Sequence, residues 1–134
     1  MASQARRQAR TLLTKARQDV ALLREVAERR TVSDEIVGFH AQQAVEKAIK
    51  AVLCVRGVHY RRTHDIAELL DLLDDSGVSR PAHLDAARHL SPFAVELRYD
   101  AMPPELEPEG PLDRDGALRT AVAAVAWADG AVPD

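Results

Sequence analysis

The chain has 134 residues, of which 46% are hydrophobic and 29% charged, with a formal net charge of −3. That length suits one domain with a proper core, and the charge excludes a whole-molecule attraction to nucleic acid or anionic lipid, so any anion site must be local. An aromatic share of 4% predicts a core of Leu, Val and Ala, which favours helices over a β-sandwich.

From about Gln8 to Arg29, Leu12, Ala16, Val20, Leu23 and Ala27 recur at three- and four-residue steps with Arg and Lys between them. This predicts an amphipathic helix with a basic, solvated face. A second helix opens at "TVSDE", with Ser33 as N-cap and Asp34 and Glu35 against the positive helix end. Its stripe is Val37, Ala41, Ala44, Val45, Ala48, Val52 and Val55, and Gly57 offers a left-handed C-cap. His40, Gln42, Gln43, Glu46, Lys47 and Lys50 read as its wet side, and His40, Gln43, Lys47 and Lys50 form a row at helical spacing.

After "VHYRRTHD", Thr63 is expected to cap a third helix whose first turn holds His64 and Asp65, with Ile66, Leu69, Leu70, Leu72 and Leu73 as its stripe and Gly77 closing it. A fourth helix is expected from Ser79 as N-cap with Pro81 near its first position, then a bend at Pro92 and a short helical piece through Phe93, Ala94, Val95, Leu97 and Tyr99. "DAMPPELEPEG" reads as a loop. A last helix follows Pro111, carried by Leu118, Ala121, Val122, Val125 and Ala126, with Trp127 near its end. Nothing alternates with period two, so the expected fold is all-α, an up-and-down bundle of four to five helices, in a single domain over residues 1–134 with its core at about 8–128. The single Cys54 reads as a packed thiol. The basic, polar start "MASQARRQAR" lacks the apolar core of a signal peptide, and no apolar run reaches the ~20 residues that span a bilayer. A cytoplasmic protein without membrane contact is predicted.

Three stretches, "FHAQQAVEKAIKAVLCVRGV", "RRTHDIAELLDLL" and "LSPFAVELRYD", resemble the HEPN domain family in their order and spacing, and the resemblance covers about Leu12 to Trp127. It implies a helical bundle, frequent homodimers, and companionship with a minimal nucleotidyltransferase in prokaryotic, toxin-antitoxin type operons. Ribonuclease toxins of the family carry an Arg separated from a His by four to six residues. Here seven residues separate Arg56 from His64, and Arg61 and Arg62 lie too close to His64. The resemblance therefore implies a non-catalytic member that binds nucleotide, RNA or a nucleotidyltransferase. The alternatives are a ribonuclease using Arg56 and His64 as a displaced pair, or a structural subunit with no ligand.

Two candidate sites follow from the residues. In the row His40, Gln43, Lys47 and Lys50, lysine charge and directional Gln and His donors suit a phosphate or a base edge; the plain alternative is a solvated face with a Glu46–Lys50 pair. In "RGVHYRRTHD", Arg56, His59, Arg61, Arg62 and His64 gather without an acid before Asp65, beside a helix N-terminus that favours anions, and Tyr60 offers a stacking surface. Against this, Thr63 and Asp65 can serve the helix end alone. Arg98 and Tyr99 are expected to fold back on the row, with Arg98 against Glu46 or a phosphate. His59, His64 and Asp65 straddle a helix start without a Cys or second carboxylate, so no metal and no cofactor is expected. A homodimer is expected because Leu13 and Leu53 lie beside the main stripes and exceed one bundle's interior.

Overall fold

The computed structural model describes residues 2–93 and 110–133. The expected short helical piece after Phe93, and the loop expected before Gly110, lie outside the described residues. Among those described there are helices and no strands: α1 (Ala2–Val26), α2 (Asp34–Val55), α3 (Ile66–Asp75), a 3-10 helix (Ala82–Phe93) and α4 (Arg114–Ala131). No described helix is long and apolar enough to cross a membrane.

The stripe of α1 is buried at Ala9, Leu13, Ala16, Val20 and Leu23. The helix starts earlier than its apolar pattern and stops at Val26, before Arg29, where Arg29 N–H donates to the Val26 carbonyl at 2.9 Å and turns the chain. Ser33 then caps α2, its hydroxyl accepting from Ile36 N–H. α2 is the centre of the molecule. Val37, Ala41, Ala44, Val45, Ala48, Ile49, Ala51, Val52 and Leu53 are all buried, because α1, α3, α4 and the 3-10 helix all pack on it, and its alanines let those helices approach closely. Leu13 and Leu53 belong to this same core, at 2% and 0% exposure. They are therefore not the surplus apolar residues from which a dimer was expected.

α2 ends where Gly57 takes φ +71°, and Val58 N–H closes back on the Leu53 carbonyl at 3.0 Å. α3 ends the same way at Gly77, with Val78 N–H on the Leu73 carbonyl at 2.9 Å; both are Schellman closures that glycine permits without strain. The cap of α3 differs from expectation. Asp65 is the N-cap and accepts from Glu68 N–H, while Thr63, buried, accepts from Asp65 N–H at 3.1 Å. The helix therefore begins later than the Thr63 reading placed it.

The fourth helix is 3-10 throughout and starts at Ala82, not from a Ser79 cap. Its buried residues Leu84, Ala87, Leu90 and Phe93 recur every three positions, a spacing that lines up on a helix of three residues per turn and drifts on an α-helix. The Ser79 carbonyl instead accepts from Trp127 Nε1–H at 3.4 Å. Phe93 packs on α2 at Gly38, where a Cβ would fall against the ring.

α4 buries Ala117, Ala121, Ala124, Val125 and Ala128, a face shifted from the expected one: Ala126 is exposed and Leu118 and Val122 are half-buried. Its first residue sets its direction. The Arg114 guanidinium donates to the carbonyls of Ala27 (3.3 Å), Arg29 (3.0 Å) and Val32 (2.5 Å), and to Asp34 at 2.8 Å. Asp34 also accepts from Leu112 N–H, and that bond first, then Arg114, holds its carboxyl below the ordinary range. The start of α4 is thus tied to the α1–α2 turn, and its end meets α1 again through the Arg17–Asp129 ion pair.

Candidate functional site

The polar sector of α2 faces the gap between α1 and the bend that leads into α3, and its side chains divide between those two neighbours. On the α1 side, Asp19 is buried and holds two residues of the row: His40 Nδ1–H donates to it at 2.9 Å and Lys47 Nζ at 2.7 Å. A carboxylate only accepts, so Nδ1 carries a proton in this pair and Nε2 is left for a second partner. Phe39 stands edge-on to the His40 ring.

On the bend side the carboxylate is Glu46. It and Gln42 were expected on the wet face, yet they are 4% and 0% exposed, because the bend folds back over them. Gln42 spends both amide hydrogens, on Glu46 Oε1 at 2.9 Å and on the His64 carbonyl at 3.0 Å, and its own oxygen accepts from Gln43 at 2.7 Å. Glu46 also accepts from His64 Nδ1–H at 2.9 Å and from Lys50 Nζ at 3.0 Å. Lys50 makes a second bond to the Thr63 carbonyl at 2.8 Å and lies 5.5 Å from the centre of the Tyr60 ring, within cation–π range. Every buried polar atom of this cluster has a partner, as burial demands. The Glu46–Lys50 pair is therefore a buried link and not the solvated surface pair weighed from sequence.

The row and the bend adjoin through Lys50, Glu46 and His64. His64 is held at Nδ1 while its side chain remains 63% exposed. The arginines of the bend separate by what they touch. Arg61 is gripped by Glu68 in three bonds of 2.6 to 2.9 Å, and this pairing raises its pKa; a phosphate there would have to displace Glu68. Arg56 and Arg62 are exposed, and no carboxylate reaches either among the described residues. His59 is exposed beside them. The helix end expected to favour an anion is occupied by Asp65. Arg98 and Tyr99 lie outside the described residues. Cys54 is half-buried at the end of α2, its Sγ 3.4 Å from the Ala5 carbonyl, and desolvation pushes its thiol pKa up, which suits a packed and unreactive group. Among the described residues no three His, Cys, Asp or Glu side chains gather as a metal site would require.

Asp19 and the burial of Glu46 and Gln42 were the features that pattern reading did not assign. One signal pointed to Asp19: it is the first carboxylate in the chain, at the edge of an apolar stripe in a stretch otherwise basic.

The comparisons agree with this architecture. The family model described as the HEPN domain matches residues 9–128. Two crystal structures superpose over most of the chain. An archaeal HEPN homologue, ST0689, is 23% identical, with 94% of this chain and 98% of that one covered at a TM-score of 0.67. TT1696 from Thermus thermophilus is 30% identical, with 92% and 98% covered at 0.68. Among curated proteins no match was found. With the family model spanning nearly the whole chain, and with the bundle it implies observed in the structure, this protein belongs to the HEPN domain family.

Proposed function

We propose that this HEPN protein is a non-catalytic binding module that takes the phosphate of a nucleotide or RNA at the bend between α2 and α3, through Arg56 and Arg62. The observation that carries the reading is the contrast within one short segment: Lys50, Arg61 and His64 are committed to carboxylates, whereas Arg56 and Arg62 stand exposed with no carboxylate in ion-pair range among the described residues. An unpaired guanidinium offers a planar fork of donors that matches phosphate geometry. The Glu46 cluster fixes the bend against α2, so the two arginines are displayed from a held backbone, which reduces the ordering cost of binding. Isothermal titration with a nucleotide panel and a short RNA tests this. Binding that disappears in Arg56→Glu/Arg62→Glu, with unfolding unchanged, is expected; binding untouched by that change would refute the site.

One observation favours a second reading, a ribonuclease. His64 is an exposed imidazole oriented by a buried carboxylate, an arrangement that serves general acid–base catalysis. Incubating the purified protein with labelled RNA separates the two readings, since cleavage abolished by His64→Ala belongs only to the enzyme.

A further inference from the structure

The segment Ala82–Phe93 is 3-10 over 12 residues, although runs beyond three or four are uncommon, because the three-residue bonds are poorly aligned and the side chains eclipse. It opens with such a bond, Leu84 N–H donating to the Pro81 carbonyl at 3.1 Å. Its composition points elsewhere. Ala82, Leu84, Ala86, Ala87, Arg88 and Leu90 are all strong α-helix formers, and Pro81 and Pro92 stand near its two ends, where an α-helix over residues 82–91 tolerates them. A contact outside the segment must therefore hold it in the tighter form.

Phe93 supplies that contact. A three-residue turn keeps Leu84, Ala87, Leu90 and Phe93 on one buried line, whereas an α-helix would turn Leu90 and Phe93 away from Leu84 by roughly 120° and 180°. Phe93 is the last and largest of the four, and it seats on α2 only because residue 38 is glycine: the three atoms nearest to a Cβ at that position all belong to its ring. Phe93 also lines a cavity of about 590 Å³ between this helix and the start of α4, so the ring has room to leave. The cost of the tight form shows at Ser91. Its hydroxyl oxygen is shut off from solvent and has no hydrogen-bond partner among the described residues, a state that buried polar groups avoid. In an α turn that hydroxyl can reach the Ala87 carbonyl four residues back.

We propose that residues 82–91 form a two-state segment, 3-10 while Phe93 is seated on Gly38 and α-helical once that seat is lost. The rise per residue falls from about 2.0 Å to about 1.5 Å, so the segment shortens by about 5 Å and draws Phe93 off α2. α2 itself need not move, since Gly38 lies within its regular span. The vacated seat then accepts an apolar side chain of another molecule, which makes Gly38 the point at which a partner throws the segment. The device is independent of the phosphate reading of Arg56 and Arg62, which lie on a different part of α2 and its bend.

The test is NMR of the full chain in wild type, Gly38→Ala and Phe93→Ala, reading which amide protons lie close to each Hα across Leu84–Leu90. A 3-10 helix brings an Hα near the amide two residues on, and an α-helix brings it near the amide four residues on. Wild type should show the two-residue contacts. Both variants should replace them with four-residue contacts, while urea unfolding remains a single cooperative transition. If Gly38→Ala does not fold, Phe93→Ala carries the same reading, since it empties the seat without touching α2. Two-residue contacts that persist in Phe93→Ala would overturn the proposal, as would four-residue contacts already present in wild type. Loss of both sets in Phe93→Ala would overturn it as well, because Phe93 would then be an ordinary core residue whose removal frays the helix.

Discussion

Arg114 at one end of this bundle and Arg56 and Arg62 at the other are used in opposite ways. At the α1–α2 turn, Arg114 is consumed: its guanidinium closes three backbone carbonyls and Asp34, and its side chain is 22% exposed. At the bend between α2 and α3, the side chains of Arg56 and Arg62 have no hydrogen bond or ion pair among the described residues. Arg80 resembles the first kind, bound by Asp74 and Asp85 at 11% exposure. A guanidinium that has spent its donors on the fold has few left for a ligand, so Arg114 serves structure while Arg56 and Arg62 remain for display. Between them lies the Glu46 cluster, in which a buried carboxylate holds the displaying bend onto the central helix.

The comparison can be broken first at its hinge. Glu46→Ala strips Lys50 and His64 of their carboxylate and leaves Gln42 with an unsatisfied amide; removing one partner of a buried pair costs about 3 kcal/mol or more. Urea unfolding should show that loss, and a change under about 1 kcal/mol would mean that the bend is not held there. The consumed arginine comes next. Arg114→Ala should cost about 2–3 kcal/mol, because charge-assisted bonds to backbone carbonyls and Asp34 are lost together. The displayed arginines should behave otherwise: Arg56→Gln/Arg62→Gln should leave stability within about 0.5 kcal/mol while weakening phosphate binding, and a larger destabilisation would place them with Arg114.

The smallest effect concerns pH at the consumed pole. The Asp34 carboxyl is held below its unfolded value by the Leu112 N–H and then by Arg114. A depressed carboxyl stabilises the fold above the unfolded pKa and loses that contribution as pH falls through the folded one. Wild type should therefore exceed Asp34→Asn in stability near neutrality, and the gap should close as pH drops below about 4. A gap that is constant down to acid pH would count against the ionised Asp34–Arg114 link.

Much of this architecture is legible in the sequence. The apolar stripes and glycine closures of α2 and α3 were readable because helical period and left-handed caps are local properties. The polar row of α2 was equally visible, and it lies where the spacing put it. Its wet or dry character was not, since Gln42 and Glu46 are buried by Thr63 and His64 returning from the bend, a tertiary event. Asp65 displaced Thr63 as the cap because an Asp side chain serves that position more strongly, and Thr63 was drawn inward to offer its carbonyl to Lys50. The 3-10 helix escaped pattern reading because a three-residue step is also half of an α pattern. Arg114 gave no signal, as its partners lie some eighty positions away in the chain.

The distinction between spent and displayed arginines has one direct readout. In a spectrum resolving each arginine Nε–H, adding a twelve-nucleotide RNA should shift Arg56 and Arg62 progressively and leave Arg80 and Arg114 in place. Shifts confined to Arg80 and Arg114, with Arg56 and Arg62 unmoved at saturating RNA, would contradict the account.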